Sequence, residues 1–223
     1  MHSFVKIGAR DSKLSHAQVD EVLQELRIFH PHLQFHPVWL KTTGDLDLKT
    51  SLRTLDKTDF FTKELDEMLL KGDLQVAIHS AKDLPEPLPP GLKIIALTKG
   101  VDPSDSLVFN LDTLPMGAKI GTSSERREKE LLKWRSDLKC VDVRGSVDKR
   151  LELLDAGELD GLVVAEAALI RLKLAHRKRV RLECETVPLQ GRLAVVAREE
   201  DAEMGELFVC LQRGVATEAV ISC

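Results

Sequence analysis

In the stretch VAIHSAKDLP, from Val76 to Pro85, the apolar run Val76-Ala77-Ile78 gives way at once to His79, Ser80, Lys82 and Asp83. In α/β sheets ligands bind beyond the carboxyl ends of the strands, so a buried strand that ends in four polar groups reads as one that delivers them to a site. Asp83 is the candidate acid. A carboxylate that follows a buried strand, beside Lys82 and His79, is expected to be partly desolvated and tuned by neighbouring cations. Taken alone, Asp83 reads first as an N-cap or turn residue before Pro85, and His79 as a packed strand-end residue rather than a base.

A second set is basic and hydroxylic. Arg10-Asp11-Ser12 follows the first strand candidate. Thr122, Ser123, Ser124, Arg126 and Arg127 stand together in GTSSERR. Arg144-Gly145-Ser146 follows a later strand, with Arg150 one turn into the next helix. A hydroxyl at a helix start caps it and leaves backbone N–H groups for an anion, and guanidinium forks match carboxylate or phosphate. A capped helix with solvated arginines explains any one of these motifs. Arginine recurring at several strand ends points to an anionic ligand with several acidic groups.

Other chemistries lack their patterns. There is no Gly-x-Gly-x-x-Gly or Gly-x-x-x-x-Gly-Lys-Ser/Thr loop, so nucleotide binding has no support, and no Gly-x-Ser-x-Gly elbow. His30, His32 and His36 straddle Pro31 and a strand start, no cluster has metal spacing, and no metal is expected. The cysteines Cys140, Cys184, Cys210 and Cys223 form no Cys-x-x-Cys pair and read as free thiols.

The elements that must position these groups alternate. Strand candidates are Phe4–Ala9, Leu33–Lys41, Gln75–His79, Lys93–Leu97, Ser106–Phe109, Lys119–Gly121, Lys139–Asp142, Gly161–Ala165 and Leu193–Ala197. Helical spacing runs over Ser15–Phe29, Thr62–Leu70, Ser124–Trp134 and Val147–Leu154. Strands separated by helices predict parallel sheets covered on both faces. The Pro-rich DLPEPLPPGL and the break at Pro188 suggest two α/β lobes, one formed by residues 1–96 plus 190–223 and the other by 97–189.

Composition bounds the rest. The 223 residues carry a net charge of −4 and no Tyr, so Leu, Val, Ile and Ala must make the core and a general nucleic-acid binder is disfavoured. No apolar run approaches the ~18 residues of a membrane span, and the N-terminus lacks a continuous apolar h-region. A cytoplasmic monomer is expected.

Several segments, in order, resemble porphobilinogen deaminases (hydroxymethylbilane synthases): IGARDSKLSHAQ, TTGD, FFTKELDEML, VAIHSAKDLP, DPSDSLV, IGTSSERRE, VRGSVDKRLELLDAGELDGLVVAEAALIRL and PLQGRLAVVARE. The resemblance implies two lobes like type II periplasmic binding proteins with the active site in the cleft between them. It also implies condensation of porphobilinogen with loss of ammonia, and a dipyrromethane cofactor tied to a Cys of a third domain. Asp83 would be the catalytic carboxylate. Lys82, Thr122, Ser123 and Ser124 would hold the primer, and Arg10, Arg126, Arg127, Arg144, Arg150 and Arg171 its acetates and propionates. Ser12, Gly145 and Gln190 complete the binding set.

The sequence departs from the family in places. Little more than a helix follows QGRLAVVARE, so the third domain is expected to be absent; the first expectation is then no covalent primer, with Cys223 and after it Cys210 the candidates where one is attached. In LDKTDFF, Lys57 stands one position early and Asp59 replaces a Gly, so the mobile loop before Phe60 is expected to differ. Glu125 is expected to weaken the grip of Arg126. A pyrrole- or carboxylate-binding protein without catalysis is the alternative reading, and solute capture for transport a weaker one.

Overall fold

The computed structural model describes residues 4–51, 53 and 58–212. The chain divides into two units, Met1–Leu46, Lys57–Val101 and Arg192–Cys223 forming unit 1, and Asp47–Asp56 with Asp102–Gly191 forming unit 2. The sequence places segment 47–56 in the first lobe, whereas by contacts it groups with unit 2.

Unit 1 is a five-stranded sheet of order β2-β1-β3-β10-β4. Its strands are β1 (Phe4–Arg10), β2 (Gln34–Leu40), β3 (Val76–Ser80), β4 (Leu92–Leu97) and β10 (Leu193–Arg198). Val5, Ile7 and Ala9 of β1 and Val76 and Ile78 of β3 pack with Val19, Val22, Leu23 and Leu26 of α1 (Lys13–Phe29) and Phe208 of α7 (Ala202–Phe208). The period of 2 in the strands meets the period of 3.6 in α1, which is why these residues share one core. Against the opposite face lies α3 (Lys63–Lys71), its Leu65 so close that a Cβ on Gly8 would come within 2.8 Å of it.

Unit 2 has the order β7-β6-β8-β5-β9, from β5 (Asp105–Val108), β6 (Lys119–Gly121), β7 (Lys139–Val141), β8 (Gly161–Ala165) and β9 (Arg179–Leu182). Its central strand β8 is buried on both faces. Leu162 and Val164 face α5 (Val147–Asp155) and Leu169 of α6 (Glu166–Arg171), and Val163 faces Leu131 of α4 (Glu125–Trp134).

The expectation of parallel sheets is corrected. β1 is parallel to β2 and β3, and β6 to β7 and β8, but β10 runs antiparallel to β3 and β4, and β5 antiparallel to β8 and β9. The physical reason is that β5 and β10 are the strands that enter each sheet from the other unit, with no helical crossover to turn them round. Sequence reading also missed β9 and α6. In β9, Val180 is exposed while Arg179 turns inward to a buried carboxylate, an alternation opposite to the usual one.

Candidate functional site

In unit 1 the carboxyl ends of β1, β2 and β3 and the start of β10 form one edge, since Arg10 pairs with Leu40 and Ser80 with Leu193. Ser12 closes the β1 turn by capping α1, its Oγ accepting from Ser15 N at 3.1 Å. Arg10 donates through Nε to both oxygens of Asp45, at 3.1 and 3.2 Å, and its guanidinium lies 4.3 Å from the centroid of the Phe61 ring. Asp45 follows β2 in a short helix, α2 (Thr43–Leu46), and also accepts from Thr42 N and Oγ1. Burial opposes ionisation of Asp45, but the bond and charge of Arg10 outweigh it and hold the carboxyl below its ordinary range. Gly44 is required here, because a Cβ would sit 2.4 Å from the Phe61 ring that supports Arg10.

The β3 end is arranged differently from expectation. A turn of 3-10 helix, Ala81–Asp83, exposes Asp83 and half-buries Lys82. Asp83 makes no hydrogen bond or ion pair among the described residues, and its exposure means that the expected partial desolvation is not found. His79 is the buried group instead. Its Nε2 has no hydrogen-bond partner, and burial, with the charge of Arg10, pushes its pKa down to about 4. The imidazole is therefore neutral at physiological pH, in keeping with a packed strand-end residue.

In unit 2 the residues of GTSSERR and RGS converge on the equivalent edge. Thr122 is buried, and its N–H donates to Val141 O at 2.9 Å. Ser123 donates to the Val143 carbonyl and accepts from Val143 N at 3.2 Å, which ties the β6 end to the β7 end. Ser124 is the N-cap of α4, accepting from Arg127 N at 3.5 Å. Gly145 takes a left-handed φ of +95°, a conformation that favours glycine, and its carbonyl accepts from Arg150 Nε at 2.8 Å. Arg144 Nη2 donates to the Asp47 carbonyl at 2.7 Å, and Arg171 Nη2 to the Gly191 carbonyl at 2.8 Å.

Arg126 and Arg127 are not solvated ends of a helix. Both reach Asp105 at the start of β5, with Arg126 Nη2 2.5 Å from Oδ2 and Arg127 Nη2 2.6 Å from Oδ1. The buried amide of Gln190 donates to Asp105 Oδ1 at 2.9 Å and to the Pro103 carbonyl at 2.6 Å. Burial raises the Asp105 pKa, but the charge and hydrogen bonds of Arg127 and Arg126 overcome this and lower it. Glu125 is exposed, so the expected competition for Arg126 comes instead from Asp105. Nε of Arg126 and Nε of Arg127 are withdrawn from water without a hydrogen bond.

Sequence reasoning missed three residues here. Asp105 stands in DPSDSLV, just before the strand candidate Ser106–Phe109, and carries no role in the sequence reading, although its type is a signal. Asp45, in TTGD, has no role in that reading either. Arg53, in a segment with no pattern, donates to the Thr122 carbonyl at 3.0 Å and pairs with Glu128 at 2.7 Å. Of the attachment candidates, Cys210 is buried in the unit 1 core with its Sγ 3.6 Å from the Leu207 carbonyl, a placement that argues against a tether. Cys223 and Lys57 lie outside the described residues. Among the described residues no group of His, Cys, Asp and Glu is placed to hold a metal, and no helix is long and apolar enough to cross a membrane.

Comparison with known proteins adds to this geometry. Residues 5–206 match the family described as "Porphobilinogen deaminase, dipyromethane cofactor binding domain". A porphobilinogen deaminase of Desulforudis audaxviator is 40% identical over 227 residues, covering 99% of this chain and 74% of that relative. The enzyme of Synechococcus elongatus is 40% identical over 219 residues, covering 93% and 68%. A probable porphobilinogen deaminase of Chlamydia pneumoniae is 36% identical over 208 residues, covering 92% and 88%. Among solved structures, the methionine-binding protein MetQ aligns with a TM-score of 0.59 at 16% identity, over 94% of this chain and 90% of that one. A probable amino-acid ABC transporter extracellular-binding protein of Bacillus subtilis aligns with 0.58 at 12% identity, over 96% and 92%. At such identities the likeness shows the fold, that of type II periplasmic binding proteins.

Proposed function

The chain belongs to the porphobilinogen deaminase family, and from this we propose that it is a hydroxymethylbilane synthase, a cytoplasmic, monomeric transferase of porphyrin and haem biosynthesis. It condenses porphobilinogen units head to tail, releasing ammonia at each step, to a linear tetrapyrrole. The observation that carries the reading is the gathering of guanidinium groups at the strand ends of unit 2, where Arg126 and Arg127 share the single carboxylate of Asp105.

The residues fit a dipyrromethane, whose acetate and propionate arms call for such donors. When bound, this cofactor supplies the pyrrole carbon to which new units are joined. Arg10, Arg126, Arg127, Arg144, Arg150 and Arg171 bind and orient carboxylates, as charge-assisted forks do. Lys82 adds a cation, and Thr122, Ser123 and Ser124 shape the β6 turn from which Arg126 and Arg127 project. Ser12, Gly145 and Gln190 hold the backbone and side chains of these binding segments in place.

Asp83 is the catalytic carboxylate of this reading. Ammonia departs from a carbon that becomes cationic, and a fixed negative charge opposite that carbon lowers the barrier. In its acid form Asp83 hands a proton to the leaving amine. Its exposure in the 3-10 turn leaves the carboxyl accessible to substrate. A covalent tether, where one forms, falls to Cys223 rather than to the core residue Cys210.

The test is to incubate the purified protein with porphobilinogen and follow ammonia and hydroxymethylbilane, with intact-protein mass recorded for a covalent primer. Release of ammonia in step with porphobilinogen consumption is expected. Saturable binding of porphobilinogen with no ammonia released would overturn the assignment and favour a binding protein of the same fold.

A further inference from the structure

Asp105 has none of its surface exposed. A carboxylate buried this fully stays charged only where cations and donors face it. Three side chains do so, Arg126 at 2.5 Å, Arg127 at 2.6 Å and Gln190 at 2.9 Å. Arg126 Nη1 is taken up by the Glu185 carbonyl at 2.6 Å. Two guanidinium groups against one carboxylate leave a single uncompensated positive charge, together with the two buried Nε–H groups that make no hydrogen bond.

We propose that Asp105 is the positioning and charge-setting residue of this arginine pair, and that it tunes the pair to a singly charged carboxylate rather than to a dianion such as phosphate. The inference rests on the reading of Arg126 and Arg127 as carboxylate-binding residues. Guanidinium geometry alone accepts either ligand, since the fork suits carboxylate and phosphate alike. Charge makes the distinction. Within this pair, the second charge of a dianion finds no second uncompensated positive charge and is partly desolvated without a partner there, which is how an interface rejects the wrong ligand. Asp105 also limits where the guanidinium groups can go, because it pins an Nη2 of each and is itself held in β5, a strand paired on both sides.

Asp105→Asn keeps the size and one acceptor oxygen and removes the charge. Inorganic phosphate and acetate are the probes, their binding to the whole protein read by NMR line broadening, with KM and kcat for porphobilinogen measured in parallel. The wild type is expected to favour acetate. In the Asn variant phosphate should tighten relative to acetate by roughly tenfold or more, the scale of one added unit charge in a partly desolvated site. KM should move more than kcat, and Asp105→Glu should restore the wild-type preference. An unchanged acetate-to-phosphate ratio in a folded Asn variant overturns the proposal, even if turnover falls. Asp105-dependent selectivity in a protein that does not turn over porphobilinogen supports it and counts against the assigned reaction alone. If the Asn variant does not fold, Arg127→Gln carries the test, because one guanidinium against an intact Asp105 leaves no net charge. Loss of acetate binding then supports the proposal, and acetate affinity equal to wild type overturns it.

Discussion

Asp66 lies in the first turn of α3, the helix whose preceding residues place Phe61 under Arg10 and whose Glu64 accepts from Thr43 N at 2.8 Å. It is buried, and neither carboxylate oxygen has a hydrogen-bond partner. Burial, partly offset by the nearby Thr62 side chain and reinforced by the charges of Asp59 and Glu64, raises its pKa from 3.8 to about 6. At about 1.4 kcal/mol per unit, a shift of roughly two units corresponds to about 3 kcal/mol. Below pH ~4 the carboxyl is protonated in both folded and unfolded chains, and the shift contributes nothing. Between ~4 and ~6 the unfolded chain releases its proton while the folded one keeps it, so the folded state loses stability as pH rises; above ~6 the loss is complete. Asp66→Asn mimics the neutral acid, so it should match wild type near pH 4 and exceed it by about 3 kcal/mol at pH 8. Urea unfolding of both proteins at pH 4, 6 and 8 measures the difference, and because the comparison is between variants, the opposite acid-side effect of buried His79 cancels. A stability difference that does not change with pH would show that Asp66 is ionised in the folded protein at no cost, and the argument from its burial would be wrong.

Four other outcomes are expected. Asp83→Asn should lower kcat for porphobilinogen by roughly 10²–10³-fold with the fold intact by circular dichroism, since one well-placed electrostatic group is removed; near-wild-type turnover would return Asp83 to the role of a turn residue. Asp45→Asn should raise KM about tenfold, because Arg10 loses a charged partner and becomes free to swing, while the melting temperature moves little. Gly145→Ala should destabilise unit 2 by about 1–2 kcal/mol in urea titrations, as an alanine is forced to a positive φ. Cys210→Ser should leave any covalent primer mass in place, because the thiol is in the core, and a primer lost with this substitution would contradict the assignment of the tether.

What the sequence by itself determined is what local chemistry dictates. The apolar runs from Val5 and from Val76 became strands, the spacing of Val19, Val22, Leu23 and Leu26 became the inner face of α1, and Ser12 and Ser124 became helix caps. Each depends on residues a few positions apart, whose preferences act before any tertiary contact forms. The order of motifs such as GTSSERR and RGSVDKRL also pointed to the family without any knowledge of the packing. Strand direction, by contrast, was decided by tertiary structure, because β5 and β10 arrive from the other unit and nothing local fixes which way they run. So was β9, whose inward Arg179 becomes intelligible only beside Glu166, itself a residue of α6 with 1% exposure. The exposure of Asp83 followed from a turn of 3-10 helix that a Pro-rich sequence does not announce. Asp105 shows the difference most plainly. Its place beside Arg126 and Arg127 comes from an antiparallel strand that sets its own beginning against the ends of its parallel neighbours, and a side chain's charge partners are decided by distance in space, to which separation along the chain is no guide.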